Sequence, residues 1–68
     1  MVIHHLKLWL RQDADLAAVA EIVRAYPGAI LDDDEFIVYF NSAPAKVSAL
    51  VSELLSFRYK SDLTVENF

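Results

Sequence analysis

Cysteine is absent from this chain of 68 residues, which also contains only one glycine and two prolines. Without cysteine there is no disulfide and no thiol nucleophile, which fits a reducing compartment. With Gly28 as its single glycine, the chain lacks the glycine-rich loops that cradle phosphate groups. Few helix and strand breakers and 56% hydrophobic residues indicate one folded domain over residues 1–68.

Basic residues are also scarce. Six Lys and Arg are scattered among ten Asp and Glu, and the formal net charge is −4. Clustered cations supply most of the affinity for nucleic acid, so this balance argues against a nucleic-acid partner. No apolar run approaches the roughly 20 residues of a membrane span, and no signal peptide is evident. We therefore expect a cytoplasmic protein with no membrane partner.

Hydrophobic periodicity predicts the first four secondary-structure elements. Strict alternation over Val2–Leu10 predicts a strand. Apolar residues at spacings of three, four and seven over Leu16–Tyr26 predict a helix, which Asp13 or Asp15 can cap. Residues 29–31 and Glu35–Phe40 then predict two strands joined by a tight acidic turn.

A second helix and a last strand follow. Asn41 or Ser42 is expected to cap the helix, with Pro44 near its first turn, where a missing N–H costs little. The buried stripe of this helix is expected to consist of Val47, Leu50, Val51, Leu54 and Phe57. Alternation over Asp62–Phe68 predicts the final strand, with Leu63 and Val65 directed inward.

This element order resembles the split βαβ arrangement of ferredoxin-like α+β folds, over the whole chain. The resemblance implies a four-stranded antiparallel sheet, with the first and third strands central and both helices on one face. Such a fold hosts many unrelated functions, so it does not specify one. The residues expected to be buried beneath the helices are Leu6, Leu8, Phe36, Val38, Phe40, Leu50 and Leu54.

The sheet face opposite the helices is the candidate contact surface. Side chains alternate between the faces of a strand, so Trp9, Ile37 and Tyr39 are expected on this open face, with His5 further along the first strand. An uncovered face with large apolar side chains is typical of a protein interface. The expected partner is another protein or a second copy of the chain.

The densest charge in the chain is Asp32, Asp33, Asp34 and Glu35. Four consecutive acids at a turn are usually solvated, and here they are a candidate electrostatic rim for a basic partner. A calcium loop needs spaced ligands and a glycine, so no metal is expected. His4 and His5 point to opposite faces and cannot readily share a metal ion, but His5 could meet Glu66 or Glu35 from neighbouring strands.

No catalytic residue and no cofactor is expected, because no serine stands beside a histidine and an acid. Acylphosphatase-like enzymes need an arginine-bearing phosphate loop, and the segment Arg11–Ala14 lacks its glycines. Single-stranded RNA platforms also carry aromatics on the two central strands, but their basic, Gly-aromatic signature is missing here.

These observations favour a non-enzymatic protein-binding module that acts by occlusion. A phage or mobile-element inhibitor, such as an anti-CRISPR, is one form of such a module. The alternative is a small ligand-binding regulatory domain, similar to ACT domains, that dimerises through its sheet.

Overall fold

A computed structural model describes residues 1–67 and confirms the expected order of elements. The elements are β1 (Val2–Leu10), α1 (Leu16–Arg24), β2 (Ile30–Asp32), β3 (Ile37–Ser42), α2 (Pro44–Glu53) and β4 (Arg58–Asn67). The strands form one sheet in the order β2-β3-β1-β4, and every neighbouring pair is antiparallel. The ferredoxin-like topology predicted from the sequence is therefore confirmed.

The central strand β1 organises the core. Leu6 lies between Phe40 of β3 and Leu63 of β4, and Leu8 pairs with Val38 of β3 two positions further along. Because side chains of opposite residues point to the same face, these positions form a continuous apolar surface for the helices. The buried core cluster consists of Leu6, Leu8, Leu10, Val19, Val23, Val38, Phe40, Val47, Leu50 and Leu54.

Helix α1 begins as predicted, whereas α2 does not. The Asp15 carboxylate accepts hydrogen bonds from the backbone N–H groups of Ala17 and Ala18, at 3.1 and 3.3 Å, and so satisfies two free donors of the first turn. The cap of α2 is Ala43, without a side-chain hydrogen bond. Asn41 and Ser42, the expected caps, belong instead to β3, where the ladder with β1 holds them in extended backbone.

The two helices are joined at their C-terminal ends. The Tyr26 hydroxyl, just after α1, donates a hydrogen bond to the Glu53 carboxylate at the end of α2, and this bond raises the pKa of Tyr26. The Tyr26 ring also meets Phe40 edge to face, with centroids 5.8 Å apart. Neither helix, within residues 1–67, is long and apolar enough to cross a membrane.

The connection between β2 and β3 is longer than expected, because Glu35 and Phe36 belong to the turn rather than to the strand. Asp32 Oδ1 accepts hydrogen bonds from the N–H groups of Asp34 and Glu35, both at 3.1 Å, which reverses the chain. Phe36 then adopts a left-handed backbone with φ of +58°, and its carbonyl accepts from Leu10 N–H at 2.7 Å. The prediction that Phe36 is buried was wrong, because its side chain is half-buried, although it packs against the core cluster.

Strand β4 differs most from expectation. It begins at Arg58 rather than Asp62, and the register with β1 shifts at Tyr59. Leu63 and Val65 lie on the helix side, yet 47% and 56% of their surface is exposed. Their inward direction is as predicted, but they stay exposed because the helices pack on β1, β2 and β3, and within residues 1–67 neither packs on β4. Phe68, the expected end of this strand, lies outside the described residues.

We expect Leu8→Ala to unfold most of the population. Leu8 is fully buried in the central strand, and such a truncation costs about 2–5 kcal/mol, which approaches the whole stability of a small domain. Leu55→Ala is the matched control, because Leu55 lies in the turn after α2 and is 56% exposed. Urea denaturation of both variants tests this, and equal loss of stability would contradict the described core.

Candidate functional site

The open face carries the aromatic pair that the sequence predicts. Trp9 on β1 and Tyr39 on β3 lie on the side away from the helices, with Trp9 half-buried and Tyr39 37% exposed. Ile30 of β2, directly opposite Tyr39, is also exposed and extends the apolar surface to the edge of the sheet. The backbone that carries these side chains is paired with neighbouring strands, so their positions are fixed without a bound partner.

Ile37 is a correction to the predicted site. It lies on the open side, as its place in β3 requires, but only 4% of it is exposed. Ile37 pairs with Trp9 on one side and with Asp32 on the other, and opposite Cβ atoms are only about 5 Å apart. The larger indole therefore screens the smaller aliphatic side chain, which supports Trp9 and offers a partner little area.

Two lysines surround Trp9. Lys7, two residues earlier on β1, places its ammonium group 4.9 Å from the centre of the Trp9 ring. Lys60 lies opposite Trp9 on β4, and its ammonium group is 4.5 Å from the centre of the same ring. The Lys7 ammonium group is also 5.8 Å from the centre of the Tyr39 ring. Ammonium groups at these distances are attracted to the electron-rich ring face. The centre of the open face is thus aromatic and charged rather than simply apolar, and Asp62 of β4 lies directly opposite Lys7.

A groove of about 600 Å³ lies at the end of the sheet beside Trp9. Tyr59, at the irregularity in β4, forms part of its wall together with Lys60. Arg11 and Glu35 also line the groove, and the Arg11 guanidinium is paired with Asp13 at 2.9 Å. Two cations and two carboxylates therefore border one aromatic depression, which carries no excess charge of either sign.

The acidic turn stands at the same end of the sheet. Each of Asp32, Asp33 and Asp34 offers a carboxylate oxygen, and these oxygens lie within 4.8 Å of one another. One oxygen of Asp32 is already committed to two backbone N–H groups, while Asp33 and Asp34 are exposed. Glu35 faces the groove near Trp9. The turn therefore places negative charge beside Trp9 and the lysines around it.

His5 occupies the other end of the open face. Its Nδ1 lies 2.8 Å from Asn41 Oδ1, and its Nε2 lies 2.9 Å from Glu66 Oε2. The second contact is an ion pair when the ring is protonated. Both neighbours are oxygen acceptors, and only the protonated ring satisfies both. The Asn41 hydrogen bond and then the Glu66 carboxylate raise the pKa of His5 above its ordinary value of 6.5.

The predicted residues therefore extend along the open face, and His5 and Tyr39 line one depression together with Lys7. Trp9, Ile37 and Tyr39 lie beside the acidic turn, whereas His5 pairs with Glu66 and not with Glu35. Lys7 was detectable from the sequence, because it shares a strand face with Trp9. Lys60 lies at Trp9 because of the β1–β4 register. Tyr59 lines the groove because of the irregularity in β4 next to it.

No protein-family model, curated protein or solved structure matches this chain. The chemistry of the open face, the groove and the acidic turn therefore carries the functional argument.

We expect His5 to make stability depend on pH. Since its folded pKa is raised, the stabilisation from the charged ring is fully present below about pH 6.5 and is lost as the pH rises through the folded pKa. The stability difference between the parent and His5→Gln should therefore shrink from pH 5.5 to pH 9. Urea denaturation at several pH values measures it.

The Glu66→Gln variant is the control for this pH effect, because it keeps the ring and removes the ion pair. It should show a weaker pH dependence than the parent. A parent-to-variant difference that stays constant across the pH range would contradict the charged pairing of His5.

We expect no metal dependence of stability. Asp32 already accepts two backbone hydrogen bonds, and three neighbouring carboxylates without further spaced ligands are a poor calcium site. Chelator and added Ca²⁺, Mg²⁺ or Zn²⁺ should all leave the melting temperature unchanged. A stoichiometric stabilisation that disappears in Asp33→Asn/Asp34→Asn would show that the turn binds a cation.

Proposed function

We propose that this domain binds another protein without chemical turnover, with Trp9 and Tyr39 of the open face as the anchors. The supporting observation is the aromatic pair on the two central strands, with Lys7 within 6 Å of both ring centres. Rigid aromatic side chains bury much area for little loss of conformational freedom, which is why they concentrate interface energy.

The distribution of charge defines the partner. Asp33 and Asp34 project from the exposed turn and favour a basic patch on the partner. Lys7 and Lys60, next to Trp9, favour carboxylates opposite the centre of the face. Because the turn is purely acidic while the centre of the face also carries lysines, the charge is unequal along the surface, and a complementary partner is favoured in one orientation.

Binding of this kind covers a surface of the partner, so the domain would act as an inhibitor by occlusion. An anti-CRISPR or another phage or mobile-element inhibitor is the form of this function that we favour. The proposal retains the cytoplasmic location that the cysteine-free composition suggests.

A small-molecule site is the second candidate, favoured by the groove of about 600 Å³ beside Trp9. Its volume lies in the range of ligand pockets, and its aromatic walls with bordering charges suit a planar, polar ligand. The two candidates share Trp9 but differ in the tyrosine they use. Tyr59 lines the groove, whereas Tyr39 lies outside it on the open face.

We expect Trp9→Ala to weaken binding to a partner co-purified from the native host by ~2 kcal/mol or more, about 30-fold in Kd. The folded state should persist, because Trp9 is only half-buried and lies outside the core cluster. Circular dichroism checks the fold, and a calorimetric titration measures the affinity. Parent-like binding by a folded Trp9→Ala variant would contradict the proposal.

Tyr39→Ala and Tyr59→Ala form a matched pair of controls for this experiment. Protein binding through the open face predicts a large loss for the first and a small loss for the second, and the groove predicts the reverse. Replacing Asp33 and Asp34 by Asn should mainly slow association and reduce its salt dependence, because peripheral charges steer encounter.

A further inference from the structure

The outer edge of β4 is the longest unprotected feature of the molecule. The strand has ten residues, and all of them from Tyr59 to Asn67 are exposed. It pairs with β1 on one side, and it is the last strand of the described sheet on the other. Backbone N–H and C=O groups directed to that side are therefore available for another strand.

Monomeric proteins usually protect such an edge with a proline, a bulge, inward charges or a very short strand. The opposite edge follows this rule, because β2 has only three residues. In β4 the register shift at Tyr59 protects only its beginning. From Lys60 onward there is no proline, and the helix side carries the uncharged Ser61, Leu63, Val65 and Asn67. The charged residues of this edge, Lys60, Asp62 and Glu66, all lie on the open side.

We propose that a second copy of this chain pairs with β4 along this edge, antiparallel, with the twofold axis at Leu63. An antiparallel twofold pair keeps both copies' helices on the same side of a continuous eight-stranded sheet. Leu63, which is 47% exposed in one copy, then faces Leu63 of the second copy on the helix side of the sheet. Their contact adds apolar burial that one copy cannot supply.

Charge complementarity and the irregularity at Tyr59 together select this register. With the axis at Leu63, Lys60 of each copy faces Glu66 of the other, so two opposite-charge pairs form. An axis at Asp62 would place the Asp62 carboxylates of the two copies opposite each other, and an axis at Thr64 would place Asp62 against Glu66. Like charges directly opposite are destabilising in a sheet. An axis at Ser61 would also form two opposite-charge pairs, between Lys60 and Asp62, but it would run the ladder into the irregular region at Tyr59.

This edge overlaps the surface proposed for a protein partner only at Lys60, whose ammonium group lies at the Trp9 ring. The rest of the pairing uses the backbone of β4, the helix-side residue Leu63 and Glu66. Tyr39→Ala, two strands away from this edge, should leave self-association unchanged. Changes at Leu63 and at Tyr39 therefore test the two proposals separately.

The first test is the concentration dependence of mass in analytical ultracentrifugation. The parent should form a dimer, and Leu63→Lys should raise its dissociation constant at least about tenfold, because two ammonium groups would meet at the axis. Leu55→Lys makes the same change at an exposed site outside the edge and should stay close to the parent. A parent that is monomeric up to about 1 mM, or a dimer indifferent to Leu63→Lys, would overturn the proposal.

A charge exchange tests the register. Glu66→Lys should weaken the dimer, because the introduced lysine would face Lys60 of the second copy. The double change Lys60→Glu/Glu66→Lys should recover most of the affinity by restoring opposite charges. Both variants lose the His5–Glu66 pair within the chain, and the double change also loses the Lys60–Trp9 contact, so a recovery of affinity relative to Glu66→Lys reports the contact between copies. Equal weakening in both would rule out this register.

The absence of cysteine permits a direct check of the axis. Ser61→Cys, Leu63→Cys and Val65→Cys place single thiols on the same side of the strand. Only Leu63→Cys puts two thiols opposite each other, where the Cβ separation of paired residues permits a disulfide. It should cross-link fastest under mild oxidation, and faster cross-linking at either other position would place the axis elsewhere.

Discussion

The alternation of β1 is the constraint on which the rest of the structure depends. β1 is paired on both sides, so each of its side chains is committed to one face of the sheet by backbone hydrogen bonds. Leu6, Leu8 and Leu10 are thereby buried under the helices, while Lys7 and Trp9 are held on the open face. A slip of one residue would exchange these two sets, so the core and the candidate site are specified by the same register.

The open face shows how a small domain keeps large aromatics accessible without exposing a simple apolar patch. Lys7 and Lys60 lie close to the Trp9 ring, so their methylene stems and ammonium groups shield part of the indole from water. The neighbouring acidic turn carries the opposite charge and is reversed by the hydrogen bonds to Asp32. Aromatic area and unequally distributed charge on a rigid sheet are features that a protein interface uses, which is why we favour binding over catalysis.

The position of the helices explains the second exposed region. Both helices pack on β1, β2 and β3, and Tyr26 joins their ends through Glu53 while its ring packs on Phe40. This arrangement centres the core on β3 and β1 and leaves the helix side of β4 uncovered. Leu63 and Val65 therefore remain exposed although their partners on β1 are partly or fully buried. A domain of this size gains from any contact that covers such residues.

The amino-acid sequence alone predicted the order of the elements and the partition of β1 and β3 into two faces, because these follow from local periodicity; it left Asp13 and Asp15 as alternative caps of the first helix, and the structure shows Asp15. Tertiary structure decided what local pattern cannot encode. The β1–β4 register brought Lys60 to Trp9 and Glu66 to His5, and the flanking strands buried Ile37. Leu63 and Val65 alternate like core residues, yet burial depends on what packs above a strand. The site on the open face was thus predictable as a set of aromatics, whereas its charges and the exposed edge of β4 arise from pairing between residues far apart in the chain.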